Sequence, residues 1–212
     1  LRLIRSENVG PVTFSRLIER YGSAARALEA LPDLAARGGK NNFKIATVAS
    51  VDDEIVRVEK AGARLIAKGE PDYPRLLAEI EDAPPLLTIK GRADLLNNPT
   101  LGIVGARNAS LAGKRLAEDL ARQISAAGYV IASGLARGID TAAHNASIAG
   151  GTVAAVAGGV DVVYPPENQK LYDQLYQNWG EGYPGVCNQY LCRRPVLASS
   201  PSSAKPQLCT RP

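Results

Sequence analysis

Three short stretches carry the residue types from which a phosphate site is built. The first is Gly105-Ala106-Arg107-Asn108. The second is Ser133-Gly134-Leu135-Ala136-Arg137-Gly138-Ile139-Asp140. The third is Gly158-Gly159-Val160-Asp161, followed by Tyr164-Pro165-Pro166-Glu167-Asn168. Each begins where a run of apolar residues ends. Glycine lets backbone amides approach an anion closely, and a helix starting just beyond adds the positive end of its dipole. Arg107 and Arg137 follow the first two glycine turns. Two guanidiniums beside several amide donors fit phosphate oxygens held bidentately. Any one of these turns alone is as well explained by a tight strand-to-helix connection. Three together, two carrying an arginine, point to one anion site. Asp161 is either a carboxylate for ribose or base edges or a turn former.

Other chemistries are less well supported. There is no GxGxxG and no GxxxxGK[ST], so neither a dinucleotide nor a nucleoside triphosphate is expected, and no cofactor is. His144, the single histidine, lies four residues after Asp140. The pair can hydrogen-bond on one helix face. Ser133 lacks the GxSxG elbow, so a Ser-His-Asp triad is not supported. A capping or packing role for Asp140 and His144 is expected instead. The three cysteines, 187, 192 and 209, show no CxxC spacing, and with one histidine a metal site is not expected.

The elements that must position these stretches alternate between strand and helix over residues 59–176. Residues 63–67 read as a short strand, and 100–105, 129–134 and 152–159 as apolar strands each ending in glycine. Residues 111–127 read as a helix with Leu116, Leu120 and Ile124 on one face, and 139–149 as a second helix. Apolar strands with helical crossovers predict an α/β fold: a Rossmann-like, doubly wound parallel sheet with both faces covered. In such sheets ligands bind beyond the carboxyl ends of the strands.

Residues 1–58 read as a small helical module that precedes the sheet. Asn8-Val9-Gly10-Pro11-Val12-Thr13 is a turn-and-cap signal leading into Phe14, Leu17, Ile18 and Tyr21. Gly22-Ser23 ends that helix and caps the next, residues 24–31, with Pro32 close behind. Asp52-Asp53-Glu54 opens another, with Ile55, Val56 and Val58 facing inward. The module is similar to a helix-hairpin-helix or sterile-alpha-motif unit, whose turn amides can hold a DNA phosphate. It is otherwise a packing or partner-binding bundle. Residues 177–212 show no helical or strand period and hold Trp179, all three cysteines and five of the 14 prolines. This tail reads as disordered or as a frameshifted, non-native continuation.

The 212 residues are 45% hydrophobic and 22% charged, the composition of a globular protein. No apolar run approaches the roughly 18–20 residues of a membrane span, and no membrane association is expected. The chain has no methionine and starts at Leu1, which reads as a fragment or processed form. No signal-peptide pattern opens it, so a cytoplasmic location is expected. The net charge of +4 is concentrated in the tail, where Arg193, Arg194, Lys205 and Arg211 face only Glu181. The argument for a nucleic-acid ligand therefore rests on Arg107 and Arg137, not on bulk charge.

Ile103-Val104-Gly105-Ala106-Arg107, the run from Ser133 to His144 and the run from Ala157 to Asn168 resemble the DNA-processing protein A (DprA, or Smf) family. Tyr73-Pro74-Arg75-Leu76-Leu77 and Ala83-Pro84-Pro85-Leu86-Leu87 support the resemblance, as does the Val-Gly-Pro hairpin of the helical module. The likeness covers about residues 1–176. It implies a bacterial cytosolic protein of natural transformation, without enzymatic activity, that binds and protects single-stranded DNA and loads the RecA recombinase. It implies a DNA pocket at Gly105, Arg107, Ser133, Gly134, Arg137, Gly138, Gly158, Gly159 and Asp161. It also implies a homodimer formed through the Rossmann-like domain. After Asn168 the family continues with more sheet and a Phe-Pro-x-Arg-Asn motif, and many members end in a winged-helix-like domain. Arg193-Arg194-Pro195 is not that motif. The competing expectation is a Rossmann-like nucleoside-monophosphate hydrolase, with Asp161 or Glu167 as acid or base.

Overall fold

The computed structural model describes residues 1–38, 43–177 and 185–189, with side chains described for 1–38 and 43–176. Four helices come first: α1 (Arg2–Arg5), α2 (Pro11–Tyr21), α3 (Ala24–Arg37) and α4 (Val48–Lys60). Pro11 stands at the first turn of α2, where a missing N–H costs nothing. Gly22 ends α2 in the left-handed conformation at φ 75°, and Ser23 caps α3 by accepting from the Arg26 N–H. Leu17 is buried with Leu3, Val9, Ala27 and Leu31, and Phe14, Ile18 and Tyr21 pack around them.

Two expectations for this module change. Helix α3 does not stop before Pro32 but runs through it to Arg37, because Leu34 packs on the same cluster as Leu28 and Leu31. Helix α4 starts at Val48, capped by Thr47, and buries Val51 and Glu54 while Val56 is exposed. The helix is turned so that Glu54 meets Arg5. That guanidinium grips both carboxylate oxygens, with Nη2 at 2.6 Å from Oε1 and Nε at 2.9 Å from Oε2. Side chains on both sides of this pair are about 10% exposed, 11% for Arg5 and 10% for Glu54.

One six-stranded sheet follows. Its strands are β1 (Arg64–Ala67), β2 (Leu86–Gly91), β3 (Thr100–Gly102), β4 (Val130–Ser133), β5 (Thr152–Val156) and β6 (Gly185–Gln189). Their order across the sheet is β1-β2-β6-β5-β4-β3. Strands β3, β4, β5 and β6 run parallel, and β1 and β2 extend the sheet antiparallel beyond β6. Helices α6 (Leu111–Ala126), α7 (Ile139–Ser147) and α8 (Gln169–Gln177) come between the parallel strands in the chain, and α5 (Arg75–Ala78) lies between β1 and β2. The fold is α/β, as the strand pattern predicts. Both faces are covered. Ile131 of β4 packs with Ala121 of α6 and Ala143 of α7. On the other face Val130, Val153 and Leu87 pack with Tyr73, Ala93 and Leu95, so that side is closed by the segments that flank β2.

Strand β6 corrects the reading of the tail as lacking any strand. Residues 185–189 pair with β5 on one side and β2 on the other. Their strand character comes from partners on both edges rather than from a hydrophobic period of their own. Trp179, Cys192, Cys209, Arg193 and Arg194 lie outside the described residues, and so does the frameshift expectation for residues 190–212. The inward face of α6 is also corrected. Ile124 packs on the core, but Leu116 and Leu120 are 61% and 46% exposed, whereas Ala117, Ala121 and Ser125 are buried. Helix α6 turns its small residues toward α7, where Ala142 and Ala143 are likewise buried, and small side chains let the two axes approach.

Candidate functional site

The three glycine-rich stretches follow the carboxyl ends of β3, β4 and β5, which lie side by side. The first two are in direct contact. Gly138 (φ 81°) approaches the first loop so closely that a Cβ on it would lie 2.3 Å from the Ala106 carbonyl oxygen and 2.6 Å from that of Arg107. The Ile139 N–H donates to the Ala106 carbonyl at 3.3 Å. Gly105 leaves the space that Ile139 fills, since a Cβ there would meet Ile139 Cγ1 at 2.6 Å. The loops bearing Arg107 and Arg137 are thus keyed together by two glycines. Both arginines are exposed.

The loop after β4 is held from inside. Asp140 is buried, and its Oδ2 accepts the N–H groups of Gly134 at 3.1 Å and Ala136 at 3.2 Å. The Gly134 amide is therefore spent on Asp140. Leu135 adopts φ 57°, a left-handed conformation that costs an ordinary side chain about 1 kcal/mol or more. Its side chain is fully buried with Ala154, Leu171, Tyr172 and Leu175, and that burial offsets the strain. Ser133 is buried, and its hydroxyl donates to the Ile103 carbonyl at 2.7 Å, tying β4 to the end of β3. Ser133 and Gly134 thus shape the rim, and the two arginines supply its charge.

The third stretch reaches back to the second. Asn168 is buried, and its Nδ2 donates to the carbonyls of Leu135 at 2.8 Å and Ala136 at 3.3 Å and to Thr141 Oγ1 at 2.9 Å. Thr141 Oγ1 in turn donates to the Ala136 carbonyl at 2.7 Å. The neighbouring Glu167 Oε1 accepts from Arg137 Nη2 at 2.6 Å. Its own backbone N–H, and then Arg137, hold the Glu167 carboxyl below the usual carboxylate range. Gly159 (φ 110°) faces Asp161, whose Oδ1 lies 2.5 Å from where a Cβ would stand. Asp161 thus folds back over its own turn, as a turn former does, while remaining exposed. Gly158 is exposed and has only Val162 within reach. Asn168 was not legible as a site residue because its three acceptors lie about thirty positions upstream, at separations of 27, 32 and 33 residues.

His144 does not bond Asp140. It is fully buried, and its Nδ1 lies 2.7 Å from the Thr152 hydroxyl, which donates to the Ile131 carbonyl at 2.8 Å. Burial pushes its pKa down from 6.5 to about 4, against the opposing effect of the Ser133 backbone. Asp140 and His144 have the capping and packing roles their spacing suggests. Among the described residues no three histidine, cysteine or acidic side chains converge as a metal site requires, and no helix is long and apolar enough to cross a membrane.

Two family models match the chain. The DNA recombination-mediator protein A model matches residues 64–181, and the DprA-like N-terminal HHH domain model matches residues 1–56. Protein Smf of Synechocystis is 31% identical over 184 residues, covering 80% of this chain and 46% of its own length. DNA processing protein DprA of Streptococcus pneumoniae is 45% identical over 105 residues, covering 49% of this chain and 37% of its own length. The chain thus spans under half the length of these curated relatives. The crystal structure of the Streptococcus pneumoniae protein superposes with a TM-score of 0.59 at 29% identity, covering 86% of this chain and 68% of that one. The structure of DNA processing protein A from Helicobacter pylori, described for its single-stranded DNA binding mode, shares the fold at a TM-score of 0.51 and 23% identity, covering 64% of this chain and 59% of that one.

Proposed function

Since the chain belongs to the DNA recombination-mediator protein A family, we propose that its glycine-rich strand ends bind single-stranded DNA. The observation that carries this reading is the seat of Gly138 on the Ala106–Arg107 backbone. It supports the reading because it brings together the two loops that carry the exposed Arg107 and Arg137, at the carboxyl edge of the sheet, where α/β folds take ligands. Arg107 and Arg137 contact successive phosphates, and the grip is largely indifferent to base sequence. Gly105, Ser133, Gly134 and Gly138 shape the rim, and Gly158, Gly159 and Asp161 border it. Aromatic residues are only 5% of the chain, so base stacking is secondary to phosphate contact.

The chain acts as a non-enzymatic mediator in the cytoplasm, serving natural transformation. There it protects incoming strands and loads RecA, as a homodimer through the sheet domain. Of the two carboxylates a nucleotide hydrolase would use, Asp161 and Glu167, Glu167 is ionised and committed to Arg137, which suits neither an acid nor a free base.

The test is a titration of an oligo-dT strand at several salt concentrations. Arg107→Ala and Arg137→Ala each weaken binding and flatten the log–log salt slope by about 0.7. A double variant that binds as the parent does would overturn the assignment.

A further inference from the structure

The cation expected to hold DNA already holds an anion. Arg137 Nη2 lies 2.6 Å from Glu167 Oε1, with the two side chains 55% and 61% exposed. Exposed pairs between long side chains are ordinarily weak, since ordering both costs entropy. This one is held by its neighbours. Asn168, next to Glu167, donates to the carbonyl of Ala136, next to Arg137, and to that of Leu135. The backbone on both sides of the pair is therefore fixed before the side chains meet. Prolines at 165 and 166 further restrict the segment leading to Glu167. Among the described residues Arg107 makes no such ion pair, so the two arginines are not equivalent.

We propose that Glu167 is an internal competitor for the DNA phosphate, a carboxylate that occupies the Arg137 guanidinium until a strand displaces it. The inference rests on the single-strand reading of the site. A carboxylate and a phosphodiester each offer a guanidinium a pair of oxygens, so a phosphate approaching Nη2 of Arg137 competes there with Glu167 Oε1. Once displaced, the carboxylate stays tethered beside the bound phosphate and repels it. The binding gained through Arg137 is reduced accordingly, and release is faster. The site then holds a strand through several shallow contacts rather than one deep one. That suits a protein whose strand must be passed on.

A double-mutant cycle on oligo-dT binding separates the alternatives. The four proteins are the parent, Glu167→Gln, Arg137→Ala and the double variant. Each is measured for affinity, dissociation rate and salt dependence, with thermal unfolding as the control for folding. Glu167→Gln is expected to bind about two- to fivefold tighter than the parent, chiefly through slower dissociation, and with a steeper salt slope. In the Arg137→Ala background the same change is expected to have a clearly smaller effect, since only the repulsion by the free carboxylate is then removed. If Glu167→Gln weakens binding, the carboxylate supports Arg137 and the proposal is wrong. If it tightens binding equally in both backgrounds, the carboxylate repels DNA generally without occupying Arg137, and the proposal is again wrong. If Arg137→Ala alone leaves binding unchanged, the single-strand reading at this arginine fails and the competitor role falls with it. Those three results are distinct from one another.

Discussion

Gly138 sits so close to Arg107 that a Cβ would stand 2.9 Å from the Arg107 carbonyl carbon and 2.6 Å from its oxygen. The contact is backbone to backbone, so no side-chain rotation relieves it. Gly138→Ala must push the two loops apart and also hold a φ of 81° that alanine resists. The expected outcome is a loss of about 2–3 kcal/mol in stability. Oligo-dT affinity falls further than for either single arginine variant. Urea unfolding and the same DNA titration read both. Parent-like DNA binding in a folded Gly138→Ala protein would mean that the two arginines act independently.

Asn168 serves the same loop from the other side. Asn168→Ala removes the donor to the Leu135 carbonyl, while that of Ala136 keeps the Thr141 hydroxyl. Leaving one buried acceptor unpaired costs about 1–3 kcal/mol. Hydrogen exchange at residues 134–138 is the sharper measurement, and it is expected to accelerate there before it does in β4.

His144 makes stability depend on pH. In the folded chain the imidazole is held neutral, with a pKa of about 4 against 6.5 when unfolded. Above pH 6.5 neither state binds the extra proton, and this group adds no pH dependence. As pH falls from 6.5 toward 4 only the unfolded chain takes it up, so stability drops by about 3 kcal/mol across that window. Denaturant melts at pH 7, 5.5 and 4.5 check this, and His144→Gln is expected to flatten the upper part of the curve.

The Arg5–Glu54 pair spans the first and fourth helices and is nearly buried. Glu54→Gln or Arg5→Met leaves the other charge stranded and is expected to cost about 3–5 kcal/mol. Replacing both with apolar residues of similar volume, Arg5→Met with Glu54→Leu, restores most of the loss. A double variant no more stable than the single ones would show that the pair is not self-contained.

Helix α6 supplies a contrast between large and small residues. Leu116→Lys and Leu120→Lys, on its exposed flank, are each expected to shift stability by less than about 0.5 kcal/mol. Ala121→Leu, at a fully buried position facing Ile131 and Ala143, overpacks and is expected to cost about 1–3 kcal/mol. Thermal melts of the three variants suffice.

Those alanines also explain where sequence reasoning stopped. Strands β3, β4 and β5 were legible because their apolar runs are continuous and each ends in glycine. Asp140 and His144 were legible as structural because their spacing fits no catalytic pattern. The orientation of α6 was not. Hydrophobic size points to Leu116 and Leu120 as the inner face, but the close approach of α7 selects Ala117 and Ala121. Strand β6 was missed because Asn188 and Gln189 break any apolar run, and its pairing depends on strands about 30 and 100 residues upstream, as the Val186 pairings with Val153 and Gly91 show. The arginines of the candidate site were visible one by one. The carboxylate lying on one of them was not, since 30 residues separate Arg137 from Glu167.

Strand β6 has a further consequence for how the chain assembles. Among the described residues it comes latest in sequence of the six strands, yet it stands in the interior of the sheet, between β5 and β2. Until it is in place, the antiparallel pair β1–β2 and the parallel set β3–β4–β5 share no backbone hydrogen bond. A nascent chain therefore carries two separate half-sheets, each with an open edge, until about residue 189 has emerged from the ribosome. Closure waits for β6 and goes through contacts of high sequence separation, which makes it slow. The two open edges are the surfaces a chaperone would need to shield in the interval.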